Sequence, residues 1–304
     1  MTAGAARAGD ERPSVAALRA EIEDRLDTLL ARELAHLPAS VSDPIRYAVL
    51  GPGKRIRPLL LLSAYRACGG TRPAASTLAC SVELVHAYSL IHDDLPCMDD
   101  DVLRRGRPTA HVRYGVRTAV LAGAALMPLA VRTIWLAARD MVLVEETARR
   151  LVRTLAEAAG AGGMVGGQLL DLRAEGRPVT RDELERIHAG KTAELIAASV
   201  VMGAMAAGAE ERTVDGLARF GRRLGLAFQA VDDILDMKGS AREIGKESGR
   251  DVELGKATYP AVLGMEEAER SSRALAEAAL AELDRLGDGG GLREIVGYVI
   301  ERRR

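Results

Sequence analysis

Leu224-Gly225-Leu226-Ala227-Phe228-Gln229-Ala230-Val231-Asp232-Asp233-Ile234-Leu235-Asp236 decides the fold, because two patterns run through it at one period. Gln229, Asp232, Asp233 and Asp236 stand at i, i+3, i+4 and i+7, which puts all four on one face of an α-helix. Leu224, Phe228, Val231 and Leu235 take the flank that can pack. The acidic stripe holds no Lys or Arg partner, although buried carboxylates are costly unless something positive meets them. A second acidic run, Asp93-Asp94-Leu95-Pro96-Cys97-Met98-Asp99-Asp100-Asp101, follows a long apolar stretch. Asp93 and Asp99 are six residues apart, so an unbroken helix would aim them roughly 120° away from each other. Pro96 disfavours helix at Leu95 and has no N–H to give, so the helix should end there and swing Asp99 back toward Asp93. Two facing acidic clusters suggest a cage for hard divalent cations, magnesium foremost, with a polyanionic ligand held between them.

The rest of the chain is written for helices. Of 304 residues almost half are hydrophobic, yet only 3% are aromatic, so Leu, Ala and Val must fill the core. The fold class expected is all-α, one helical bundle over residues 14–304, with 1–13 a disordered extension. Ser14 can cap a helix whose Leu18, Ile22, Leu26, Leu29 and Leu30 recur at helical spacing, and Pro38 to Pro44 should break it. A loop over Leu50–Pro58 precedes the next helix, and residues 74–94 read as one long helix. Thr180 and Glu183 form a capping box ahead of Leu184 and Ile187. A helix spans about 214–237, a Gly/Lys-rich loop runs from 239 to 258, two more helical stretches finish the chain, and no strand-like alternation persists.

Composition also excludes. Forty-two Lys and Arg against 43 Asp and Glu leave a net charge of −1, which offers no global field for nucleic acid or an anionic membrane. Cys68, Cys80 and Cys97 lack CxxC or Cys/His spacing and read as reduced thiols rather than a zinc site. Residues 1–13 carry no apolar segment of a secretory signal, and the longest apolar stretch, Leu195–Ala209, is short of the ~20 residues that span a bilayer. The expectation is a cytoplasmic protein without membrane insertion.

Cations accompany each acidic cluster. Lys54, Arg55 and Arg57 sit on a glycine loop, Arg104 and Arg105 follow the first cluster, and Lys191-Thr192 lie on a helix of their own. Gly245-Lys246 and Gly255-Lys256 follow the second cluster. Together they supply forked Arg donors and Lys point charges for two diphosphates beyond their metals. No GxxxxGK[ST] occurs, so this is not a nucleotide P-loop. His86 and Ser89, seven and four residues before Asp93, share its face; near a diphosphate His86 becomes a donor to phosphate oxygen.

At this point the chain resembles the trans-isoprenyl diphosphate synthases, most of all the bacterial farnesyl diphosphate synthases. The resemblance is carried by Gly53-Lys54-Arg55-Ile56-Arg57-Pro58, His86 through Asp99, Leu103-Arg104-Arg105-Gly106-Arg107-Pro108, Gly166-Gly167-Gln168…Asp171, His188…Lys191-Thr192, Phe228 through Asp236, and Gly245-Lys246…Gly255-Lys256-Ala257-Thr258-Tyr259-Pro260. It implies a homodimeric bundle of about ten helices around a deep cavity, and condensation of an allylic diphosphate with isopentenyl diphosphate. Asp93, Asp99, Asp232 and Asp236 would bind Mg2+, which draws off the allylic diphosphate. Lys54, Arg57, His86 and Arg105 would hold isopentenyl diphosphate, and Arg104, Lys191, Thr192, Gln229 and Lys246 the allylic substrate, with Lys256 beside them. Asp94 and Asp233 would complete the catalytic acidic groups. The loop 239–258 and the basic tail Arg302-Arg303-Arg304 are candidates for a lid.

Product length has a local argument. Ser89 lies one turn below Asp93, and Tyr88 five residues below, about 7.5 Å deeper by helix rise. In this family an aromatic at that place looks like a floor that stops elongation near fifteen carbons; if Tyr88 faces a neighbouring helix instead, a geranylgeranyl product follows. One stretch departs from the family: Leu121-Ala122-Gly123-Ala124-Ala125-Leu126-Met127-Pro128 has Ala124 where Asp is usual, and Pro128 should kink or shorten its helix. Those two residues are the support for a catalytically altered regulatory subunit. A class I terpene cyclase, the other helical magnesium enzyme, would not need Lys54, Arg57 and His86.

Overall fold

The computed structural model describes residues 14–238, 255–287, 289 and 291–301. The first helix, α1 (Val15–Glu33), begins where the sequence places it: the Ser14 hydroxyl accepts from the Ala17 N–H, and Leu18, Ile22, Leu26, Leu29 and Leu30 are its buried face. Then come α2 (Ala39–Val49), α3 (Ile56–Ala67) and α4 (Ala75–Asp93). Pro44 lies inside α2, not at a break. Its missing N–H forfeits one helical bond, and its buried ring, packed beside Ile45 and Val49, offsets that loss. Likewise α3 starts at Ile56, inside the expected loop. Pro58 then falls in the first turn, where no N–H is needed.

After α4 a tight hairpin forms, β1 (Leu103–Arg104) against β2 (Arg107–Pro108), antiparallel with Arg104 opposite Arg107. This short hairpin leaves the all-α class intact and has a local cause: Arg105 (φ 54°) and Gly106 (φ 73°) both adopt left-handed backbone, as a two-residue hairpin turn demands. Next are α5 (Ala110–Tyr114), α6 (Val116–Asp140), α7 (Glu145–Ala159), α8 (Met164–Ala174) and α9 (Arg181–His188), whose capping box is complete. A π-helical turn, Ala189–Ala193, joins α9 to α10 (Glu194–Ala206). The long α11 (Glu211–Lys238), α12 (Tyr259–Leu263), α13 (Met265–Leu286) and α14 (Gly291–Ile300) follow, so three described helices, not two, end the chain.

Three helices form the centre. Leu59–Leu62 of α3, the run Ala75–Val85 of α4 and nearly all of α10 are buried around their whole circumference. Around them α1, α6, α7, α11 and α14 present one apolar stripe each. Pro128 does not shorten α6: the helix is continuous from Val116 to Asp140. The carbonyl that loses its partner is that of Ala124, and Ala124 and Pro128 both face outward, so the ring displaces no core side chain of this chain. By length and composition Val116–Asp140 and Arg181–Ala206 could each cross a membrane; the second is mostly buried core, whereas α6 leaves one face out.

Candidate active site

A cavity of about 650 Å³ opens between the ends of α3, α4, α8 and α11, the hairpin and the π turn. Both acidic clusters reach it. At the end of α4 the chain turns at Pro96, and the Asp99 N–H donates to the Asp93 carbonyl at 2.8 Å, so the first cluster folds back on itself as its spacing requires. Asp93, Asp99 and Asp101 line the cavity. Asp94 does not; it is buried and accepts from Arg104 Nε at 2.9 Å, holding that guanidinium in place. Burial pushes the Asp93 carboxyl up to about 6, with Asp99 adding to the rise and Lys191 and Arg104 opposing it.

On α11, Asp232 and Asp236 face the cavity with Gln229. Asp233 also touches it but is spent as an anchor. It accepts from Gln229 Nε2 and from the Tyr259 N–H, both at 2.9 Å. Thr192 donates to the Gln229 carbonyl oxygen at 2.8 Å, so the amide is fixed at both ends. Lys256, beyond the stretch 239–254, returns across the cavity to Asp99 at 2.8 Å. Lys246 lies outside the described residues, as do the tail Arg302–Arg304 and most of the expected lid.

The cationic wall is built around three consecutive carbonyls. Gly51 O accepts from Arg55, Pro52 O from Arg105 at 2.6 Å, and Gly53 O from Arg19 of α1, the first and last at 2.8 Å. Arg55 caps α3 in left-handed backbone (φ 53°) and forms a buried ion pair with Glu83 of α4 at 2.6 Å. Arg57 and His86 lie beyond it, with Lys54 and Arg105 in the same wall. Burial drives the Arg57 guanidinium down to about 10 while Glu83 and Asp232 support its charge. Burial and the surrounding arginines, Arg57 foremost, hold the His86 imidazole well below its ordinary range, hence neutral. Arg57 Nε, His86 Nδ1 and both polar atoms of Gln168 are buried here without hydrogen-bond partners, which a polar ligand would supply.

The π turn explains the placement of Lys191 and Thr192. Its wider winding inserts one residue into the α9–α10 run and turns both side chains inward. Lys191 donates to Asp171 of α8 at 2.5 Å. Although burial disfavours its charge, Asp171, Asp93 and Asp99 outweigh that and hold the ammonium above its usual range. Glycine at 167 is required by the packing: a Cβ there would stand 2.0 Å from the Lys191 backbone nitrogen.

Sequence reasoning therefore assembled the two clusters and most of their cations, but assigned no role to Arg19, Glu83, Gln168 or Asp171. Glu83 was detectable as the single carboxylate in the apolar run of α4, three residues before His86. Arg19 carried no signal, since its role exists only when α1 meets the glycine loop. Tyr88 is not on the cavity wall. It packs beside His92, ring centroids 4.6 Å apart, while Ser89 and Leu90 line the cavity.

Among the described residues no three His, Cys, Asp or Glu side chains come together as a ready cation cage. The donor set still fits magnesium, which binds one or two carboxylates and completes its shell with phosphate oxygens and water. Asp93, Asp99, Asp232 and Asp236 offer only hard oxygen donors around a space lined by cations for phosphate.

An all-α bundle enclosing such opposed walls defines a trans-prenyltransferase. The chain belongs to the polyprenyl synthetase family, whose model matches residues 38–288. It is 44% identical over 284 residues to farnesyl diphosphate synthase of Escherichia coli, covering 90% of this chain and 94% of that one. It is 43% identical to chloroplastic geranylgeranyl pyrophosphate synthase 11 of Arabidopsis thaliana, over 81% of this chain and 70% of the relative. A crystal structure of geranyltransferase from Helicobacter pylori, complexed with magnesium and isoprenyl diphosphate, superposes with a TM-score of 0.82 at 32% identity, covering 96% of this chain and 98% of that one.

Proposed function

We propose that this chain condenses dimethylallyl and geranyl diphosphates with isopentenyl diphosphate to give farnesyl diphosphate. The observation that carries the reading is a single cavity with two distinct sets of phosphate donors, Lys54/Arg57/His86/Arg105 and Arg104/Lys191/Gln229/Lys256, with the Thr192 hydroxyl fixing Gln229. Two diphosphates need two such sets; a cyclase needs one.

Magnesium, held by Asp93, Asp99, Asp232 and Asp236, would supply the positive charge that makes diphosphate a good leaving group. The protein's own part is derivable. Asp94 locks the Arg104 fork toward the cavity. Asp171 orients Lys191 beside the leaving group, and Thr192 with Gln229 presents fixed dipoles where the allylic cation develops. Neutral His86 donates one N–H to the isopentenyl diphosphate without adding charge. Leu90, Met164 and Phe228 give the cation an apolar wall that cannot trap it. Attack by the isopentenyl double bond and loss of a proton to the departing diphosphate finish the cycle.

A geranylgeranyl product is the second reading, favoured by the position of Tyr88 behind the wall rather than on it. Product analysis with magnesium, isopentenyl diphosphate and each allylic substrate decides between them. Fifteen carbons, with farnesyl diphosphate left unused, supports the first reading; twenty supports the second; no product overturns both. If Tyr88 is the floor, as the first reading has it, Tyr88→Ala is expected to lengthen the product by at least one five-carbon unit. An unchanged product would remove Tyr88 from length control.

We also propose a soluble cytoplasmic homodimer. Val116, Val120, Leu121 and Trp135 of α6 are exposed, Leu121 at 69%, on a helix whose other face is core. A continuous apolar strip of this kind marks an association surface. Leu121→Glu is expected to yield monomers in light scattering; an unchanged mass would place the interface elsewhere.

A further inference from the structure

A shallower cavity of about 310 Å³ lies outside the active site, lined by Arg46, Tyr47, Leu50, Arg107, Arg113 and Tyr114, with Asp43 its one carboxylate. Arg46 is paired with Asp27 at 2.7 Å. Arg107 and Arg113 have no ion-pair partner among the described residues. Instead both guanidinium groups rest over the Tyr47 ring, 4.2 and 4.4 Å from its centroid, and Arg113 also lies 5.4 Å from that of Tyr114. Two like charges gathered on one ring repel each other, and an exposed cation–π contact is weak beside a forked bond to phosphate. The cluster is therefore primed to turn toward an anion entering the cavity.

The same residues are wired to the active site. Tyr47 donates its hydroxyl to the Pro108 carbonyl at 2.7 Å. Arg107 pairs in register with Arg104, and Arg104 and Arg105 line the catalytic cavity. A smaller cavity, lined by Tyr47, Arg104, Arg105 and Arg107, occupies the wall between the two spaces. The hairpin thus shows one cationic face inward and another outward.

We propose that the Arg107–Arg113–Tyr47 cluster is a second anion site, taking a small inorganic phosphate or diphosphate, and that its occupancy shifts the hairpin and weakens isopentenyl diphosphate binding at Arg105. Planar guanidinium forks on two elements match adjacent phosphate oxygens. Diphosphate is released by the proposed prenyl transfer, and free phosphate shares its chemistry. The binding half of this inference does not depend on prenyl transfer.

The test is calorimetric titration of the metal-free protein with inorganic diphosphate and, separately, orthophosphate. Without metal the allylic set, whose Arg104, Lys191 and Lys256 are paired with Asp94, Asp171 and Asp99, is not expected to hold a diphosphate, so wild type should show two binding events, one at Lys54/Arg57/His86/Arg105 and one at the cluster. Arg107→Gln/Arg113→Gln should lose one and keep the other, whereas Arg57→Gln should do the reverse. Unchanged stoichiometry in the double variant overturns the site; unchanged binding in Arg57→Gln alone indicts the active-site reading instead. Tighter binding of diphosphate to the Arg57→Gln protein identifies the reaction's by-product as the source, tighter orthophosphate identifies free phosphate, and neither binding there overturns the proposal. If the double variant does not fold, exposed Arg113→Gln replaces it, with the second event expected about tenfold weaker. In turnover, diphosphate should raise KM for isopentenyl diphosphate at least twofold more in wild type than in the double variant, whose rate without added anion stays unchanged. An equal rise in both overturns the coupling.

Discussion

Asp93→Asn is expected to remove most turnover, by about 100-fold or more, and at the same time to stabilise the metal-free protein. The loss follows from removing one charge of a preorganised cluster acting on a developing charge. The gain follows from the raised carboxyl. With a folded value of about 6 against an ordinary 3.8, the folded protein holds a proton that the unfolded chain has released between those pH values. Stability therefore falls as pH rises from about 4 to 6, and above 6 the full penalty applies. Discounted for the solvent that reaches this half-buried side chain, that penalty is on the order of 1–3 kcal/mol. Denaturant titration in the presence of chelator should find the variant more stable than wild type at pH 7.5 and equal to it near pH 4. Near wild-type turnover would sink the metal assignment, and no stability gain at pH 7.5 would show that Asp93 is not electrostatically strained.

Glu83→Gln should have the largest effect on folding. Both partners of the Arg55–Glu83 pair are about 95% buried, so removing the carboxylate charge strands a guanidinium in the interior. Such losses run to ~3–5 kcal/mol, and the retained amide oxygen should keep this one near the lower figure. A purely structural role would stop there. Glu83 also sustains the charge on Arg57 and Arg105, so KM for isopentenyl diphosphate should rise while that for the allylic substrate holds. Arg55→Met/Glu83→Leu should recover much of the stability, since a buried pair is no stronger than well-packed apolar side chains. A loss under ~1 kcal/mol in the single variant, or equal changes in both KM values, would refute the assignment.

Short-range features were legible in the sequence. Ser14 and the Thr180–Glu183 box mark helix starts by bonds that close within three residues, and the stripe on α11 follows from helix period alone. Pro44, and the shortening expected at Pro128, misled because the cost of a proline is local while what accommodates it, a buried ring in one case and an outward position off the core in the other, is tertiary. Within the site, Asp99 and Lys256 could each be nominated, but their pairing across the cavity could not, since 157 residues separate them. The π turn escaped for a different reason: helical winding of 3.6 and its wider variant leave the same mark over five residues.

The three carbonyls of Gly51, Pro52 and Gly53 also set an order of assembly on the ribosome. Their arginines, at 55, 105 and 19, have all been synthesised well before Asp232 and Asp236. The nascent chain thus possesses the whole Lys54/Arg57/His86/Arg105 wall while the opposing acidic helix is still unmade. Until α11 arrives, the growing polypeptide has that wall beside only one of the two acidic clusters, Asp93 to Asp101, so nothing can yet be gripped across the cavity.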